Sequence, residues 1–275
     1  MNIKFFCPRW GSENLSWDDF LLKVKSAGYS GIEYGIANDS SPEELSQVWE
    51  KTDKLNLEVI PQHYGTYEAD FSKHYDTFAA WFEMIRPFKA LKIDSQTGKD
   101  FFTFEQNKQL IDLTVDYTNS TGVAVLHETH RNKFAFAAHI TKEYLKRIPY
   151  LKLTLDVSHW VNVAESFLED QPEAMALAIS RTEHIHARVG YPEGPQVPDP
   201  RVPEWQQALQ AHLAWWDNIV EGKSKAGKDA VCTITPEFGP YPYMVPLPFT
   251  RQPITDQWEV NVYMMNLLRE RYQHL

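Results

Sequence analysis

The sequence predicts an α/β chain folded as one closed (β/α)8 barrel, and three observations lead there. Short apolar runs alternate with longer amphipathic ones from end to end. The length of 275 residues suits a fold that takes about 250. No linker or low-complexity stretch divides the chain, so residues 1–275 read as a single domain.

The strand candidates are Ile3–Cys7, Gly31–Ile36, Leu57–Gln62, Ala90–Asp94, Val123–Glu128, Leu151–Val157, Glu183–Val189 and Val231–Glu237. Each is short, apolar and followed by a helix signal. Ser16 precedes Trp17, Phe20, Leu21, Val24 and Ala27 at helical spacing, with Gly28 as a stop. Ser41-Pro42-Glu43-Glu44 is a capping box with proline in the first turn, and Thr103 with Gln106 repeats the box. Phe71–Pro87, Phe134–Arg147, Ala164–Ser180, Trp205–Gly222 and Asp256–Tyr272 complete the helices. Strands that alternate with helices favour parallel pairing and right-handed crossovers. An open doubly wound sheet is the alternative; eight repeats that fill the length favour closure.

The formal net charge of -10 argues against nucleic acid, whose binders present a basic face to phosphates. It fits an anionic membrane surface equally poorly, and no apolar stretch is long enough to span a bilayer. Cys7 and Cys232 read as strand core residues, too few for a disulfide framework. The N-terminus enters a strand without a signal-peptide pattern, which makes a reducing cytoplasm the expected compartment. The sequence leaves a homo-oligomer open.

Barrel chemistry sits at the C-terminal ends of the strands. Four consecutive strands here end in metal-ligand types: Glu128, Asp156, His186 and Glu237. Side chains alternate along a strand. His184, His186 and Arg188 therefore share one face, opposite Ile185, Ala187 and Val189. Thr154 and Asp156 lie opposite Leu153 and Leu155, and Glu237 shares parity with Thr233 and Thr235. With the apolar rows against the helices, the polar rows face the axis. Carboxylates crowded together repel and raise one another's pKa unless a cation is present. One divalent cation relieves that cost, and oxygen donors with one imidazole suit Mn2+, Mg2+, Co2+ or Zn2+. Taken alone, a carboxylate after a strand is usually a loop cap, and a strand histidine usually a core residue. Four such endings in a row outweigh that reading.

On these residues the chain resembles the xylose isomerase-like TIM-barrel superfamily, whose members include ketose 3-epimerases, hydroxypyruvate isomerases, inosose dehydratases and endonuclease IV. Gly28-Tyr29-Ser30-Gly31-Ile32-Glu33 is similar to its helix-one-to-strand-two signature. Glu128, Asp156 with His159, His186 and Glu237 follow its ligand series. The resemblance implies one metal ion holding two adjacent oxygens of a sugar or polyol. It also implies Glu128 and Glu237 as the catalytic pair that moves a proton through an enediolate, the chemistry of a sugar isomerase or epimerase. His159 and Arg188 occupy positions of substrate-hydroxyl contacts. His130 is either a support for the site or a loop histidine; Glu33 and His63 end strands and either reach the mouth or serve structure. Endonuclease IV needs an Asp-x-His pair after strand seven, where this chain has Tyr191-Pro192-Glu193-Gly194. Two other functions fit the same scaffold: a dehydratase of an inositol-like ketone, and a barrel that binds carbohydrate without turning it over. The segment Gly190–Pro203, with five prolines, is expected to overhang the mouth. No glycine-rich phosphate loop is visible, which leans toward an unphosphorylated substrate.

Overall fold

The computed structural model describes residues 1–275. The strands are β1 (Asn2–Pro8), β2 (Gly31–Ile36), β3 (Glu58–His63), β4 (Ile93–Ser95), β5 (Val125–Glu128), β6 (Leu153–Leu155), β7 (Thr182–His186) and β8 (Val231–Thr235). They form one closed barrel in sequence order. Every neighbouring pair is parallel, including the closing pair β1 and β8.

The helices are α1 (Trp17–Ala27), α2 (Pro42–Lys54), α3 (Phe71–Ile85), α4 (Phe104–Thr121), α5 (Ala138–Arg147), α6 (Val157–Ala164), α7 (Pro172–Arg181), α8 (Gln206–Ser224) and α9 (Gln257–Arg271). The expected caps are present. Ser16 accepts from the Asp19 amide, and both capping boxes, Ser41 with Glu44 and Thr103 with Gln106, close in both directions. Gly28 ends α1 in the left-handed conformation at φ 87°, where glycine escapes the Cβ penalty.

The segment after β6 departs from the sequence-based expectation. In place of a strand to Val157 and one helix over 164–180, Asp156 caps a short helix at once, accepting from the Ser158 amide. Glu165, left-handed at φ 50°, ends that helix, and Pro172 opens the next. The fifth helix starts at Ala138 rather than Phe134, whose ring is buried beside His127 and Tyr144.

The core lies between the sheet and the helices. Leu153, Leu155, Ile185, Ala187, Val189 and Ile234 are buried there, with Trp81, Trp160 and Trp216 in the helical ring. Burying a Leu or Ile side chain is worth roughly 1.5–3 kcal/mol. A one-residue slip of β7 would trade Ile185 and Val189 for histidines and an arginine on the helix side. The apolar row therefore fixes which residues reach the axis. Gly31 serves the floor of the barrel: a Cβ there would meet the Glu58 carbonyl at 2.0 Å and the Phe6 ring at 2.7 Å. No helix is long and apolar enough to cross a membrane.

Candidate metal centre

Inside the barrel, β5 to β8 deliver Glu128, Asp156, His186 and Glu237 to one place. One ligand atom from each lies within 4.8 Å of the others, and all four residues are buried. The His186 Nδ1 is 2.9 Å from Glu237 Oε2 and 3.6 Å from Glu128 Oε1. Its Nε2 is 3.1 Å from Glu33 Oε1. The second Glu33 oxygen is 3.3 Å from the His184 Nε2. Glu33 is therefore the partner of two histidines of β7.

In three of the four candidate ligands a buried atom makes no well-aligned hydrogen bond and faces only the cluster: Glu128 Oε1, His186 Nδ1 and Glu237 Oε2. Buried polar atoms are rarely left so, and here the orphaned atoms are those that face one another. Donor types, convergence and unmet valence all fit a divalent ion. With Nε2–H given to Glu33, the His186 Nδ1 keeps its lone pair for a cation, the usual arrangement of a carboxylate behind a metal-binding imidazole.

The electrostatics agree. Burial alone would raise the Glu128 pKa, but the adjoining His186 outweighs it and holds the carboxyl down at about 2. Burial would likewise strip His186 of its proton; Glu237 and Glu33 reverse this and push its pKa well up. With no cation present, the surrounding carboxylates thus favour a proton on the imidazole, which a metal ion would displace from Nδ1. Burial, with Glu237 nearby, pushes Asp156 up to about 6 against the pull of Arg188. Asp94, deeper in the barrel, is raised well above the usual carboxylate range by burial and by Glu128.

Arg188 continues the inward row of β7. It donates to Asp156 Oδ2 and, at 2.8 Å, to His159 Nε2, and it lies 3.6 Å from Glu237. Since the guanidinium only donates, His159 accepts at Nε2 and carries its hydrogen on Nδ1, which has no partner. The His130 ring packs against His159, with centroids 4.0 Å apart and planes tilted by 52°. His130 donates from Nδ1 to the Arg131 carbonyl, leaving Nε2 facing the Tyr243 hydroxyl at 3.5 Å. These rings and Tyr243 form one wall above the acidic cluster. His63 lies apart. Its two nitrogens bond Thr66 and Ser95, and its ring packs against Phe78 and Trp81.

Gln62 was missed by sequence reasoning. Its amide nitrogen faces Asp94 at 3.2 Å and Glu128 and Glu237 at 3.4 Å each. The available signal was parity on β3: Gln62 is inward because His63 is outward. The segment Gly190–Pro203 is tied down by Gln196, which exchanges two hydrogen bonds with the Gly239 backbone, two residues beyond Glu237.

No protein-family model matches the chain, and no curated protein matches it. Solved structures do match its fold. The probable 3-DHS dehydratase AsbF of Bacillus anthracis superposes with a TM-score of 0.59 at 16% identity, covering 98% of this chain and 100% of that one. A family 2 AP endonuclease of Brucella melitensis gives 0.56 at 10% identity, over 96% and 98%. A sugar phosphate isomerase/epimerase of Parabacteroides distasonis gives 0.55 at 12% identity, over 97% and 93%. The chain therefore has the same closed eight-stranded barrel as these three enzymes.

Proposed function

We propose that the protein is a divalent-metal-dependent isomerase or epimerase of a sugar or polyol. The observation that carries this reading is the convergence of Glu128, Asp156, His186 and Glu237, with buried atoms of Glu128, His186 and Glu237 facing one another in the cluster. A bound divalent ion would supply Lewis acidity to a substrate carbonyl and its neighbouring hydroxyl.

The chain's own residues then handle the proton. A hydrogen on carbon beside a carbonyl is weakly acidic, so its removal at neutral pH needs a base placed against it. Glu128, which must be ionised to join the ligand set, lies in the cluster where it can accept it. The C–H electron pair passes to the carbonyl oxygen. Glu237 approaches from β8, on the other side of the cluster, and either glutamate can return a proton. Return to the same carbon from the opposite face gives the epimer; return to the neighbouring carbon gives the aldose–ketose isomer. Gln62 donates toward one oxygen of each glutamate and so keeps the other turned to the centre. The free Nδ1–H of His159 and the guanidinium of Arg188 are placed to orient substrate hydroxyls.

A dehydratase would begin with the same proton removal and then expel a hydroxide, a chemistry compatible with the likeness to a dehydratase. Product analysis on a panel of ketoses, aldoses and inositol-like ketones decides. An epimer or isomer supports the proposal. Loss of water points to the dehydratase, and no turnover of any compound by metal-loaded protein points to a binding barrel.

A further inference from the structure

We infer that the mouth holds a second, anion-binding subsite made by Lys99 and Lys133, and that the substrate carries a negatively charged terminus. Lys99 stands on the loop after β4 and Lys133 on the loop after β5, both on the face that holds the acidic cluster. Lys133 is 2% exposed and Lys99 4%. Buried lysines are rare unless paired, yet the Lys133 Nζ has no hydrogen-bond partner. Each ammonium lies 5.6 Å from the centre of the Tyr67 ring, which projects from the loop after β3 and is 62% exposed. Two like charges thus flank one aromatic ring at the edge of the mouth. Burial and Lys99 together lower the Lys133 pKa to about 8, with Glu128 opposing them.

Lys133 has no hydrogen-bond partner, and the charges acting on it are Lys99 and, in opposition, Glu128. An ammonium group so placed is costly without a further anion beside it. A carboxylate or phosphate at the end of a bound polyol would accept from both ammonium groups and remove that cost. Two lysines are point-charge donors that suit either anion. The inference rests on the metal-and-polyol reading of the mouth, but anion binding can be measured without turnover.

The test is calorimetric titration of metal-loaded protein, at constant ionic strength, with D-glycerate, inorganic phosphate and neutral glycerol. Wild type is expected to bind at least one of the anions saturably and at least tenfold more tightly than glycerol. Lys133→Gln and Lys99→Gln are each expected to weaken that anion at least tenfold while metal content stays at the wild-type level. The tighter anion names the source, a sugar acid or a sugar phosphate. Absence of saturable anion binding by wild type, or equal affinity in both variants, overturns the subsite. Either result leaves the metal centre standing, because metal content is read separately; loss of metal from wild type with anion binding intact would sink the other reading alone.

Discussion

The imidazole of His186 is held between two carboxylates, with Nε2 at 3.1 Å from Glu33 and Nδ1 at 2.9 Å from Glu237. Glu33 comes from the second strand and Glu237 follows the eighth. In the proposed centre Glu33 would support the imidazole and Glu237 would be a fellow ligand. Removing the support is therefore expected to cost affinity without removing the site. Glu33→Gln should weaken divalent-metal binding about 10–100-fold, while the stoichiometry at saturating metal stays unchanged. A competition titration against a chelating dye measures this; unaltered affinity would show that Glu33 does not orient His186.

The proton-transfer roles predict a different signature. Glu128→Gln and Glu237→Gln should each lower turnover on the identified substrate by about 10²–10⁴-fold, with some metal retained. Product formed in deuterium oxide should carry deuterium at the reacting carbon. A near wild-type rate in either variant contradicts the two-glutamate mechanism. Lack of deuterium with both variants inactive would instead indicate a hydride shift.

Much of this site was legible because it follows from alternation along strands. His184, His186 and Arg188 read as one row, and the structure keeps them in line past the end of β7. The capping boxes at Ser41 and Thr103 were equally plain, since each needs only local hydrogen bonds. Glu33 and His63 were less readable: Glu33 lies in the middle of β2 and meets His184 and His186 only across the closed barrel, and His63, which ends β3, turns outward to Phe78 and Trp81 by the parity that points Gln62 inward. The α6 helix was hidden because Asp156 serves as helix cap and candidate ligand together. Lys99 and Lys133 gave no signal at all: their closeness to Tyr67 depends on three loops from successive strands.

The proline-rich segment leads to a prediction about coupling. Gln196→Ala would leave buried backbone groups of Gly239 without partners, at a cost of about 1–3 kcal/mol. Local release of the segment should lower kcat/KM well beyond any change in metal affinity. Steady-state kinetics beside metal titration separates the two. Unchanged kinetics in this variant, and in one with the 190–203 segment shortened, would make the segment a passive cover.

The depressed pKa of Lys133 sets a pH dependence. Its amine is charged below about 8 and loses that charge as pH rises through this value. Anion affinity should therefore fall between pH 7 and 9.5 in wild type, and much less in Lys133→Gln. The linkage for stability has the opposite sense. A lysine pKa below its unfolded value makes the charged form a burden that is full below about pH 8 and relieved as pH rises toward the ordinary lysine range. Lys133→Met should raise Tm at pH 7 in anion-free buffer. A lower Tm would mean that Lys133 contributes to the fold instead.

Glu128, Asp156, His186 and Glu237 are proposed to hold one divalent ion together. Elemental analysis of protein loaded with Mn2+ or Co2+ and then dialysed tests it most directly. Wild type is expected to hold about one ion per chain, as for a single four-ligand site, and the Asp156→Ala, His186→Ala double variant, shown by circular dichroism to be folded, almost none. Equal metal content in the two proteins would contradict it.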